Sequence, residues 1–81
     1  MRAVIFDGPK QLALREIPMP APGAGEVVVK IESALTCGTD LKGYKRGHRL
    51  FAPGMAFGHE FAGVISAVGA DVARWREGDA V

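Results

Sequence analysis

Apolar residues along this chain come in short runs divided by glycine and proline, and the runs read as strands rather than helices. Residues 3–6, Ala-Val-Ile-Phe, form a short apolar stretch followed by turn residues Asp7-Gly8-Pro9-Lys10. Residues 11–17 resume an extended pattern, so the first 17 residues are expected to be a hairpin. Residues 26–33 are the clearest strand: Val27, Val29 and Ile31 face one way, while Val28, Lys30 and Glu32 face the other. Residues 61–68, Phe-Ala-Gly-Val-Ile-Ser-Ala-Val, are β-branched and too apolar for a surface loop, which predicts a buried strand. Ala80-Val81 look like the first residues of a further strand.

Between these runs the chain is irregular. Pro18, Pro20 and Pro22 remove backbone donors and predict an extended connector over residues 18–25. Its Gly23-Ala24-Gly25 is no dinucleotide fingerprint, because it precedes a strand and has Val28 where the last glycine should be. One short helical turn is expected over residues 39–44, capped by Thr39 or Asp40. Lys45, Arg46 and Arg49 read as a solvated basic face, with His48 exposed among them. Residues 51–54 and 75–79 read as turns, with Trp75 a packing residue.

Composition narrows the class. The chain has 81 residues, enough for one domain that buries about 60% of its unfolded surface. Ten basic and nine acidic residues leave a net charge of +1, which makes no electrostatic case for nucleic acid or a membrane surface. The single cysteine excludes an internal disulfide framework. The N-terminal apolar run is too short for a signal peptide, no stretch has the ~20 apolar residues of a membrane span, and the cytoplasm is the expected location.

The candidate chemistry lies in two places. Gly58-His59-Glu60 opens the apolar run, and Cys37-Gly38-Thr39-Asp40 lies upstream. Cysteine, histidine and carboxylates are the residue types of a zinc site. Cys37 and His59 are far enough apart that only tertiary folding could join them. A ligating histidine donates its other N–H to a carboxylate, for which Asp40 and Glu60 are both available. Residue types alone leave a second reading open: a small buried thiol and a surface His–Glu pair.

The combination Gly58-His59-Glu60-x-x-Gly63 with Gly69 and Val72 resembles the signature of zinc-containing medium-chain alcohol dehydrogenases. Cys37-Gly38-Thr39-Asp40 is similar to that family's Cys-x-[Ser/Thr]-Asp segment. Pro22-Gly23-x-Gly25-Glu26-Val27 and Gly78-Asp79-x-Val81 resemble the flanking pieces. The likeness is collinear over nearly the whole chain, and looks most like the sorbitol, threonine and polyol dehydrogenase branch.

The resemblance implies a mainly β fold, a GroES-like barrel-like sheet with one short helix, spanning residues 1–81. It implies Cys37 and His59 as ligands of a catalytic zinc, Thr39 as the first proton-relay group, and Asp40 as the residue orienting His59. Glu60 would lie beside the metal and ligate it at some stage. Zn²⁺ would act as a Lewis acid on a small alcohol or polyol while hydride passes to NAD(P)⁺.

The family's third zinc ligand, its structural zinc lobe and its Rossmann domain have no counterpart among these residues. The chain is therefore expected to be a fragment, inactive in isolation, binding zinc more weakly than a complete site, and forming a homo-oligomer through an open sheet edge. The alternatives are a stand-alone small zinc-binding protein and a GroES-like assembly module without catalysis.

Overall fold

A computed structural model describes all of residues 1–81. The elements in chain order are β1 (Arg2–Gly8), β2 (Gln11–Glu16), β3 (Val27–Leu35), α1 (Gly38–Arg46), β4 (Met55–Ala56) and β5 (Glu60–Val68). The fold is mainly β with one short helix, as expected. The strands divide between two small sheets, β2-β1-β4 and β3-β5. The chain forms two compact units, one of Met1–Pro18 with Leu35–Glu60, the other of Met19–Ala34 with Phe61–Val81.

In the first unit, β1 and β2 form the expected antiparallel hairpin, with Val4 opposite Leu14 and Ile5 opposite Ala13. The strands extend to Gly8 and Gln11, which leaves Pro9 and Lys10 as a two-residue loop. Lys10 adopts φ 60°, a conformation uncommon for a residue with a Cβ. Its N–H donates to the carbonyl of Tyr44, satisfying one of the acceptors left free in the last turn of α1. β1 is the central strand, because β4 pairs with its other edge through Ile5–Ala56 and Phe6–Met55. The sequence pattern gave no sign of β4, which is two residues long.

Successive strand residues point to opposite faces, yet Ile5 and Phe6 are both buried, so both faces of β1 are covered here. Phe6 meets Phe51 edge-on with ring centroids 5.6 Å apart, and stacks on Phe57 at 6.1 Å. Phe51 and Phe57 also meet edge-on, at 5.8 Å. This aromatic cluster is the core of the unit, and full burial of the Phe6 ring contributes on the order of 1.5–3 kcal/mol.

The helix is longer than expected and starts earlier. It runs from Gly38 to Arg46 with Cys37 as N-cap, so Thr39 and Asp40 lie within the first turn rather than capping it. Lys45 and Arg46 belong to its last turn, where cations suit the helix dipole. Gly47 ends it at φ 81°, its N–H donating to the Gly43 carbonyl at 2.8 Å. His48 is half-buried rather than exposed: Nδ1 accepts the Leu50 N–H at 3.1 Å, and the ring lies 5.1 Å from that of Phe51.

In the second unit, β3 and β5 pair with each other. Gly63 on β5 is buried, and a Cβ there would collide with the Lys30 carbonyl of β3. Ile65, 2% exposed, is the core residue of this unit. The remaining apolar positions are less covered than the pattern implied: Phe61 is 52% and Ile31 55% exposed. The apolar run therefore forms the expected strand but is buried only at Gly63 and Ile65. Residues 78–81 lie along β5, with reciprocal Gly63–Val81 backbone bonds of 2.9 and 3.0 Å and an antiparallel bridge from Val64 to Ala80. The connector over 18–25 forms no strand, and is tied down by Gly25 N–H to Ala70 O at 2.8 Å. Trp75 is 40% exposed under the Arg74 guanidinium, 5.5 Å from the ring centroid. No helix is long and apolar enough to cross a membrane.

Candidate metal centre

Three side chains of the first unit converge: Cys37, Asp40 and His59, whose donor atoms all lie within 4.8 Å of one another. Cys37 and Asp40 come from the start of α1, and His59 from the residue before β5. Their approach has a local cause. A helix leaves its first N–H groups unpaired, and Asp40, at the third helical position, folds back so that Oδ2 accepts the Cys37 N–H at 3.1 Å. That bond fixes the Asp40 rotamer and turns its second oxygen towards His59.

Each nitrogen of the His59 imidazole faces a partner. Nδ1 lies 2.9 Å from Asp40 Oδ1, and Nε2 lies 3.2 Å from Cys37 Sγ. Asp40 is 2% exposed, while the His59 side chain is 49% exposed. Oδ1 has no partner other than the His59 ring, and that approach is not aligned as a regular hydrogen bond. A buried carboxylate oxygen needs a donor, which favours the tautomer with hydrogen on Nδ1. The Nε2 lone pair then faces the thiol.

Sulfur and nitrogen donors at zinc bond lengths and a tetrahedral angle stand about 3.5 Å apart, so a separation of 3.2 Å is within a few tenths of an ångström of a shared ion. The exposed side of the ring leaves access for further ligands. Cys37 and His59 could hold a metal ion, with Asp40 behind the ring.

The other expected site residues lie elsewhere. Glu60 is exposed at the start of β5 and stands outside the cluster, so of the two carboxylates available to His59 the fold selects Asp40. Thr39 is exposed in the first turn of α1, between Cys37 and Asp40 in sequence. One feature had no forewarning in the sequence: an open, largely apolar pocket of about 300 Å³ lined by Leu12, Thr36, Asp40, Leu41, Tyr44 and Phe57.

Comparison with known proteins agrees with the fold. The family profile of the alcohol dehydrogenase GroES-like domain matches residues 23–81. The starvation-sensing protein RspB of Escherichia coli K12 is 46% identical over the whole chain, which spans 24% of RspB. An L-threonine 3-dehydrogenase of Stenotrophomonas maltophilia is 38% identical, again over the whole chain and 25% of the enzyme. The crystal structure of the rspB alcohol dehydrogenase from Escherichia coli CFT073, complexed with the cofactor NADH, superimposes with a TM-score of 0.85 at 43% identity, over 100% of this chain and 23% of that one. The chain thus spans about a quarter of the length of the relatives it matches. A match over most of its residues, together with this fold, places the chain in the alcohol dehydrogenase GroES-like domain family.

Proposed function

We propose that these residues supply two protein ligands, Cys37 and His59, to the catalytic zinc of an alcohol or polyol dehydrogenase that passes hydride to NAD(P)⁺. The observation that carries this reading is the division of the His59 ring, with Nδ1 against a buried carboxylate and Nε2 against the only thiol. Thiolate and imidazole are the donors of the Cys₂His set used by catalytic zinc in alcohol dehydrogenase. A bound zinc ion would supply Lewis acidity towards the substrate oxygen. The names of the relatives, a threonine dehydrogenase and an alcohol dehydrogenase complexed with NADH, support the reaction class and the nicotinamide cofactor.

Each residue has a distinct task in this reading. Asp40 holds the His59 ring in one tautomer and orientation. Cys37, anchored through its own N–H, presents sulfur from a fixed helix start. Thr39, exposed in the first turn of α1, takes the role of first proton-relay group in this reading. Glu60 takes no part. The lone thiol suits a reducing compartment, so the cytoplasm is the proposed location. β3 has a strand on one side only, and pairing along its free edge is the proposed route to a homo-oligomer.

Titration calorimetry with zinc tests the site. The wild-type chain is expected to bind one equivalent, and His59→Ala to lose most of the heat. Equal affinity in the two proteins would remove His59 as a ligand and end this reading.

A further inference from the structure

We infer that Gly43 is a positioning residue for the Cys37–His59 pair, acting through the rings of Phe51 and Phe57. This rests on the metal-site reading for its consequence but not for its geometry.

Gly43 lies in the middle of α1, three residues after Asp40 and so on the same helix face, and it is buried. Glycine inside a helix is destabilising relative to alanine, so its presence there needs a compensating cause. The cause is steric. A Cβ at this position would occupy the space of the Phe51 ring, which lies directly against the helix backbone. Phe51 in turn meets Phe57 edge-on at 5.8 Å, and both rest on Phe6. Phe57 is separated from His59 only by Gly58, which turns the chain at φ 106°.

A continuous set of contacts therefore runs from the helix that carries Cys37 and Asp40, through two rings, to the segment that carries His59. The separation of Sγ from Nε2 closes that loop. Packed interiors transmit displacement because they have few voids to absorb it. A methyl group between α1 and Phe51 is expected to displace the helix relative to Phe57, and with it Cys37 and Asp40 relative to the His59 ring.

The test compares wild type, Gly43→Ala and the double variant Gly43→Ala/Phe51→Val, in which the ring atoms that the methyl group would meet are removed. The metal-free readout is the NMR cross-peak between the Cys37 β protons and the His59 ε1 proton. The metal readout is the near-ultraviolet thiolate-to-cobalt absorption during titration with cobalt(II). Gly43→Ala is expected to weaken the cross-peak and lower cobalt affinity about tenfold or more, in the range typical of residues that orient ligands. The double variant is expected to recover both. An unchanged cross-peak and unchanged affinity in Gly43→Ala would overturn the inference while leaving the metal site standing. Absence of the cobalt band in wild type would overturn the metal reading instead, and the cross-peak alone would then decide the role of Gly43. If Gly43→Ala does not fold, Phe51→Ala, which removes the wedge without adding bulk, is read in its place: it is expected to weaken the same cross-peak, and an unchanged cross-peak overturns the inference.

Discussion

Asp40 grips His59 and the start of α1 at the same time, with Oδ1 2.9 Å from Nδ1 of the ring and Oδ2 3.1 Å from the Cys37 backbone nitrogen. One buried carboxylate thus serves as a helix-capping group and as the support of the candidate ligand. The two tasks separate by substitution. Asp40→Ala leaves the part-buried Cys37 N–H without its partner, at a cost of about 1–3 kcal/mol in urea denaturation, and lowers zinc affinity on the order of 10–100-fold. Asp40→Asn keeps an acceptor for the Cys37 N–H but replaces the carboxylate facing the ring, so it should recover stability and not affinity. Recovery of both by asparagine would show that the charge on Asp40 has no part in holding His59.

Glu60 neighbours His59 in sequence but is exposed and stands outside the cluster. Glu60→Gln is expected to leave the zinc affinity of the 81-residue chain unchanged in the calorimeter. A loss comparable to that of His59→Ala would bring Glu60 back as a ligand.

Gly63 allows β5 to approach β3 more closely than any side chain would permit, because a Cβ there meets the Lys30 carbonyl. The obstacle is backbone, which cannot rotate aside. Gly63→Ala should therefore destabilise the chain by about 1–3 kcal/mol, the usual range for overpacking. A urea midpoint equal to that of wild type would refute the close contact.

The zinc-loaded 81-residue polypeptide is expected to form no NAD(P)H from alcohols. Hydride transfer needs a bound nicotinamide, and a helix N-terminus is the common seat for a pyrophosphate. The single helix has its N-terminus engaged by the Asp40 carboxylate. Alcohol-dependent formation of the reduced nicotinamide that disappears in Cys37→Ser would overturn this.

Self-association is expected along β3, which pairs with β5 on one side only and carries Ile31 and Leu35 exposed. Light scattering after size exclusion should give a mass above one chain that falls on dilution. A single-chain mass across a wide concentration range would exclude the edge as an interface.

The strands were legible in the sequence because β-branched runs bounded by glycine and proline have few other options, as in residues 3–6, 26–33 and 61–68. Residue types marked Cys37 and His59 as candidates, because few residue types bind zinc and this chain has one thiol, but it was the resemblance to a family that joined them as a pair. Burial was another matter. Alternation predicts which side chains share a face, but whether that face is covered depends on distant segments, and Ile31 and Phe61 remained half-exposed while Ile5 and Phe6 were both enclosed. The choice between Asp40 and Glu60 was likewise tertiary. Residue types left both carboxylates available and only the resemblance pointed to Asp40; in an extended segment neighbouring side chains such as His59 and Glu60 point apart, whereas a helix start brings its third residue back to its cap. Short-range chemistry thus determined which residues could act, and the packing of α1 against the phenylalanine cluster decided which of them meet.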